Sequence, residues 1–136
     1  MVENAELLIR TFGEWPSFHD AEVLAMHLDR AGEDGPSLTA CIHVFRMTGE
    51  IDPDGYYRLT HHTRATLRFT DIVLRQLRWF NGQNSLADLV IEKVDPGSGE
   101  ERRFRVGFDA NWGVEAEFLC DRVVVESVEP YEPPAS

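Results

Sequence analysis

At 136 residues, 43% of them hydrophobic, the chain has the length of one compact domain and enough apolar side chains to fill a core, which argues against a second domain and against a wholly disordered chain. Its formal net charge of −11 argues against non-specific nucleic-acid binding, because a polyanion is held mainly by counterions released as Lys and Arg bind, and it favours a basic partner. With no basic, apolar leader behind Met1 and no apolar run of about 18 residues, no membrane is implied and the expected location is the cytoplasm.

The first predicted element is a short helix. Asn4 is placed to cap it, Glu6 lies in its first turn, Ala5, Leu8, Ile9 and Phe12 recur at helical spacing, and Gly13 suits a left-handed stop. From Glu22 the period changes to two, with Leu24, Met26 and Leu28 on one face and His27 and Asp29 on the other. After a loop over residues 30–36, Leu38, Ala40, Ile42 and Val44 alternate with Thr39, Cys41, His43 and Phe45, so these two strands form a hairpin. Residues 48–57, containing Pro53-Asp54-Gly55, read as a turn excursion. The next strand sets Ala65, Leu67 and Phe69 against Arg64, Thr66 and Arg68, while residues 72–80 fit both periods in part and stay open.

Asn81-Gly82 is a turn pair, and Leu86, Leu89 and Ile91 mark a further strand that ends at the Gly-rich residues 95–99. Phe104, Val106 and Phe108 alternate with Arg103 and Arg105, and Val114, Ala116 and Phe118 with Glu115 and Glu117. Pairing of these two strands across residues 109–113 would set Arg against Glu. Cys120-Asp121-Arg122 reads as a tight turn into a last strand of Val123, Val124 and Val125.

One helix and about seven strands, with no helix–strand alternation, point to an α+β, mainly β fold: a short N-terminal helix packed on an antiparallel sheet or small sandwich. Residues 1–130 form the single globular domain and residues 131–136 a flexible tail. Cys41 and Cys120, each inside an apolar strand pattern, are expected as buried reduced thiols. Charge is uneven along the chain: residues 1–55 carry −8 and residues 86–136 carry −7, whereas residues 56–85 carry +4.

Two polar clusters and one aromatic stand out as candidate sites. Trp15, Phe18, His19, Asp20 and Glu22 lie between the helix and the first strand. Imidazole and carboxylate are metal ligands and proton carriers, so His19, Asp20 and Glu22 admit an enzyme reading, metal-dependent or acting on a small ligand. The competing structural reading has Trp15 and Phe18 plug the helix onto the sheet while His19 and Asp20 satisfy backbone groups. His27, His43, His61 and His62 stand at no metal-binding spacing from His19, and adjacent His61 and His62 would point to opposite faces of a strand, one buried and one wet. Phe80 is followed by Asn81, Gln83 and Asn84, amides that either read a partner or stabilise turns. Trp112 sits at a strand turn, as a binding anchor or as a cap on the core. No nucleophile elbow, Cys pair or phosphate-cradling glycine loop is present, so no catalytic residue, cofactor or metal is assigned.

The segments F-G-E-W-P-S-F-H-D-A-E-V (residues 12–23), L-R-F-T-D-I-V-L-R-Q-L-R-W-F-N-G-Q-N (67–84) and W-G-V-E-A-E-F-L-C-D-R-V-V-V (112–125) together resemble a bacterial family of immunity proteins from polymorphic toxin systems, immunity protein family fifty. The resemblance implies a non-catalytic domain whose partner is a cognate protein toxin, which it binds and neutralises. The alternatives are the enzyme centred on His19, Asp20 and Glu22, and a domain that forms a homodimer through an exposed strand edge.

Overall fold

Alternation of apolar and polar residues drives most of this chain into strands, because successive side chains of an extended backbone point to opposite faces. The computed structural model describes residues 1–134, so Ala135 and Ser136 of the predicted tail lie outside the described residues. One helix, α1 (Glu6–Phe12), precedes β1 (Glu22–Asp29), β2 (Ser37–Ile51), β3 (Tyr57–Thr70), β4 (Val73–Arg78), β5 (Ser85–Lys93), β6 (Phe104–Trp112), β7 (Glu115–Cys120) and β8 (Arg122–Pro130). The strands pair antiparallel in a single sheet, so the fold is mainly β with a short N-terminal helix. The segment of ambiguous period supplies β4, which brings the expected seven or so strands to eight among the described residues.

The sheet order is β4-β7-β6-β5-β1-β2-β3-β8. Its two halves meet in the ladder at one pair, Glu22 opposite Ser85, and hydrogen bonds from Asp20 N to Leu86 O (2.7 Å), Leu86 N to Ala21 O (2.8 Å) and Val23 N to Asn84 O (2.9 Å) extend that seam. At the opposite corner, β3 runs on into β4 after Asp71 and Ile72, and β7 runs on into β8 after Asp121. Since β3 pairs with β8 and β4 with β7, one two-stranded ribbon passes from one half of the sheet to the other. Cys120-Asp121-Arg122 is therefore not the expected tight turn: Asp121 donates its N–H to Thr70 O (2.9 Å) and carries the ribbon round the corner.

Folding the sheet in this way brings its inner faces together. Phe69 of β3 lies 6.0 Å from Phe108 of β6 and 5.0 Å from Phe118 of β7, ring centre to ring centre. These rings, with Leu38, Ile42, Leu67, Leu86 and Val106, are fully buried. At about 25 cal/mol per Å² of apolar surface, burial of this kind is the main favourable contribution to folding. Leu8 and Phe12 of α1 join the same core. Both thiols are buried and free, and burial pushes Cys120 up to about 12.

Several local expectations are overturned. Asn4 does not cap α1: the capping position is Ala5, with no side-chain cap. Residue 3 pairs with β8, through Glu3 N to Val123 O (2.8 Å) and Val125 N to Glu3 O (2.9 Å), and the turn from there into the helix holds Asn4 at φ 60°. In β1 the ladder shifts between Val23 and Ala25. This bulge puts Val23, which is buried, on the inner face ahead of Met26 and Leu28, so Leu24 does not belong to their stripe.

Half of the excursion at 48–57 is strand, since pairing continues to Ile51 opposite Tyr57. Asp52 closes the remaining turn by accepting from the N–H groups of Asp54 and Tyr56, both at 2.9 Å. The resulting arm carries Met47, Ile51, Tyr57 and Leu59 exposed. Finally, the Arg–Glu contacts expected between β6 and β7 do not form, because the register sets Arg105 opposite Leu119 and Glu117 opposite Gly107. Glu115 pairs with Arg78 of β4 instead, at 3.0 Å.

Candidate functional site

The two polar clusters and Trp112, distant in the sequence, meet at the seam end of the fold. Asn84 is the hub. It is 2% exposed, and its Oδ1 accepts from the N–H groups of Asn81 and Val114, both at 3.0 Å. Its Nδ2 donates to Asn81 O (2.7 Å) and Val23 O (3.5 Å), and its own N–H donates to Glu22 Oε1 (2.9 Å). One amide side chain thus ties the start of β1, the 79–84 turn and the β6–β7 turn together, satisfying backbone groups that would otherwise be costly to bury. Gly113, at φ 84°, completes the fit: a Cβ there would stand 2.2 Å from Gln83 O and 2.9 Å from Asn84 Cα.

Asp20, at φ 66°, reaches the same end. Its Oδ1 accepts from Asn111 Nδ2 (2.9 Å), which also donates to Leu86 O (2.9 Å). His19 is exposed; its Nδ1–H donates to Ala87 O (3.0 Å), and Nε2 lies 3.6 Å from Asp20 Oδ2. Phe18 is buried and Trp15 packs on it, with ring centres 5.7 Å apart. Among the described residues no three His, Cys, Asp or Glu side chains converge so as to hold a metal ion. His19, Asp20 and Glu22 are each engaged with different parts of the seam.

Around this polar hub, aromatic side chains face solvent. Trp79, Phe80 and Trp112 are 62%, 48% and 63% exposed and line an open groove with Asn81, Asn111 and Glu115. Gln83 is exposed beside it, and its N–H donates to Asn81 Oδ1 (3.0 Å). Trp79 adopts φ 65°, a conformation that costs a bulky side chain on the order of 1–3 kcal/mol and persists only where neighbours enforce it. Asn81 Nδ2 holds Trp79 O at 2.8 Å, and the Arg78 guanidinium, itself paired with Glu115, stacks 4.0 Å from the ring centre. Trp79 and Asn111 were not among the predicted site residues. The signal available in the sequence was the run Trp79-Phe80 directly before an Asn-Gly turn, two large rings where a turn offers little to bury them.

A further polar cluster lies on the outer face of β2 and β3. His61 sits at φ 58° in a bulge and is exposed, while His62 is half-buried. His43 Nε2 lies 2.8 Å from His62 Nδ1, and the Tyr131 ring packs 4.7 Å from His43. Burial, and then the neighbouring His62, lowers His43 to about 4. One of these nitrogens donates and the other accepts, so the two rings share a single hydrogen bond.

The family model for Immunity protein 50 matches residues 4–131. The chain belongs to this family. The match takes in α1, all eight strands and every residue of the seam end. Searches of curated proteins and of solved structures found no match. No helix among the described residues is long and apolar enough to cross a membrane.

Proposed function

We propose that this family member neutralises a cognate bacterial toxin by binding it, with no catalysis of its own, in the cytoplasm of the cell that makes the toxin. The observation that carries the reading is the match to Immunity protein 50 across residues 4–131. The net charge of −11 adds support, because an acidic surface speeds the capture of a basic protein, as a toxin that attacks nucleic acid would be. The exposed rings at the seam end supply the aromatic surface on which protein interfaces concentrate their binding energy.

The test is co-expression. The product of the gene beside this one, expressed alone and with the chain, should arrest growth in the first case and not in the second, and the two proteins should purify as one complex. Persistent arrest in the presence of soluble chain would refute the reading.

A further inference from the structure

The seam end exposes more aromatic surface than its own packing needs. Trp79, Phe80 and Trp112 share one groove, and contiguous apolar exposure of this kind marks a contact site. Trp79 is kept at φ 65°, and backbone held in a sparsely populated conformation clusters at functional positions. One side of Trp79 already carries the Arg78 guanidinium. Trp112 is free: among the described residues no ring and no cation stacks on it.

The charge beside the groove selects what covers it. Glu115 lines both this groove and a shallow depression on the outer face of β5, β6 and β7, where Gly107 leaves room. Asp109 and Glu117 line that depression, and Asp88 is the cross-strand partner of Asp109. None of Asp88, Asp109 and Glu117 has an ion-pair partner within 4.0 Å among the described residues. Arg105 is the one cation on the lining of the depression. Facing like charges repel until a counter-charge arrives. A second copy of this chain, also at −11, would set the same carboxylates against each other. The exposed arm of β2 and β3 is the competing apolar surface, but it mixes Arg46 and Arg58 with Glu50 and Asp52 and so selects no partner by charge.

We propose that the toxin docks on this groove and the adjoining acidic face through a basic segment, with an Arg or Lys side chain stacked on Trp112. The proposal rests on the immunity reading above and adds the surface and the partner's chemistry. Trp112 is the anchor, and Asp88, Asp109 and Glu117 attract the segment and fix its register.

The test measures binding kinetics of the full chain with the product of the gene beside its own. Trp112→Ala, and separately Trp79→Gly, which also relieves the positive φ, should weaken binding at least about 30-fold, mostly through faster dissociation. Asp109→Asn with Glu117→Gln should slow association several-fold at low salt and flatten its salt dependence. Tyr56→Ala with Tyr57→Ala on the arm should change neither rate, and thermal unfolding of each variant shows that it folds. Tryptophan variants that bind as the wild type does, or loss of binding confined to the arm variant, overturn the groove and leave the immunity reading standing. If the wild type binds no toxin, the immunity reading falls and the groove is judged by a second probe, a peptide of about twelve residues alternating Arg and Gly. At low salt this peptide should quench tryptophan emission of the wild type and not of Trp112→Ala, and a Glu-Gly peptide should do neither. Absence of that quenching overturns the groove as well.

Discussion

Truncating Asn84 to Ala removes one side chain and separates three segments. Oδ1 loses the N–H groups of Asn81 and Val114, both at 3.0 Å, and Nδ2 loses Asn81 O at 2.7 Å. Val114 is fully buried, so its N–H is left without a partner, at about 1–3 kcal/mol. Asn81 is exposed, so water replaces part of what it loses, and its two bonds add only about 0.5–1 kcal/mol each. The sum is about 2–5 kcal/mol, a large share of the stability of a domain this size. With a urea m-value of about 2 kcal/mol/M, the unfolding midpoint should fall by about 1–2.5 M at unchanged m. Amide exchange supplies a local readout, since protection at Val114 should drop more than at Phe69 in the centre of the core. A loss below about 1 kcal/mol, or equal loss of protection at both sites, would refute the account of Asn84 as the tie at this end.

Gly113→Ala should cost more than about 3 kcal/mol by denaturant unfolding, because a Cβ 2.2 Å from Gln83 O and a φ of 84° leave the backbone no relaxed alternative. Near-wild-type stability would show that the β6–β7 turn can rearrange. Thr70→Val should be neutral or raise stability by up to about 1 kcal/mol, since Thr70 Oγ1 is buried without a hydrogen-bond partner among the described residues and the change keeps the volume. A higher urea midpoint supports this, and a clear fall refutes it. Stability should also drop with pH through His43, which is lowered from 6.5 to about 4. Between those values the unfolded chain binds the proton and the folded chain does not, so acid favours unfolding. As the side chain is only half-buried, solvent screening limits the loss between pH 7 and pH 5 to about 1 kcal/mol. Urea titrations of wild type and His43→Gln at both pH values check this, and identical pH dependence in the two proteins would dispose of it.

Strands with one fully buried face were legible from alternation, as with Ala65, Leu67 and Phe69 in β3 or Val106 and Phe108 in β6. β4 was not, because it lies at the edge of the sheet with Val73 and Leu74 exposed, and half-exposed apolar residues break the pattern. The β1 bulge was hidden for another reason: Val23 and Leu24 are both apolar, so nothing in their chemistry says which one turns inward. Asp71 and Asp121 look like turn residues, and only the pairing of β3 with β8 and β4 with β7 reveals that they carry a ribbon round a corner. The polar clusters were visible at the seam end, but their meeting was not. An Asn three residues after another Asn suggests a local turn, and its bonds to Val23 and Val114 depend on contacts far along the chain.

The seam end divides its labour among different side chains. Asn84 and Gly113 hold the turns together from inside, whereas Trp79, Phe80, Gln83 and Trp112 are displayed outside and contribute little to that hold. A scaffold arranged in this way can change what it displays without re-solving how it folds. If the protein neutralises a toxin as proposed, the displayed positions are then free to change with that partner, while the two inner ones stay under the constraint of folding.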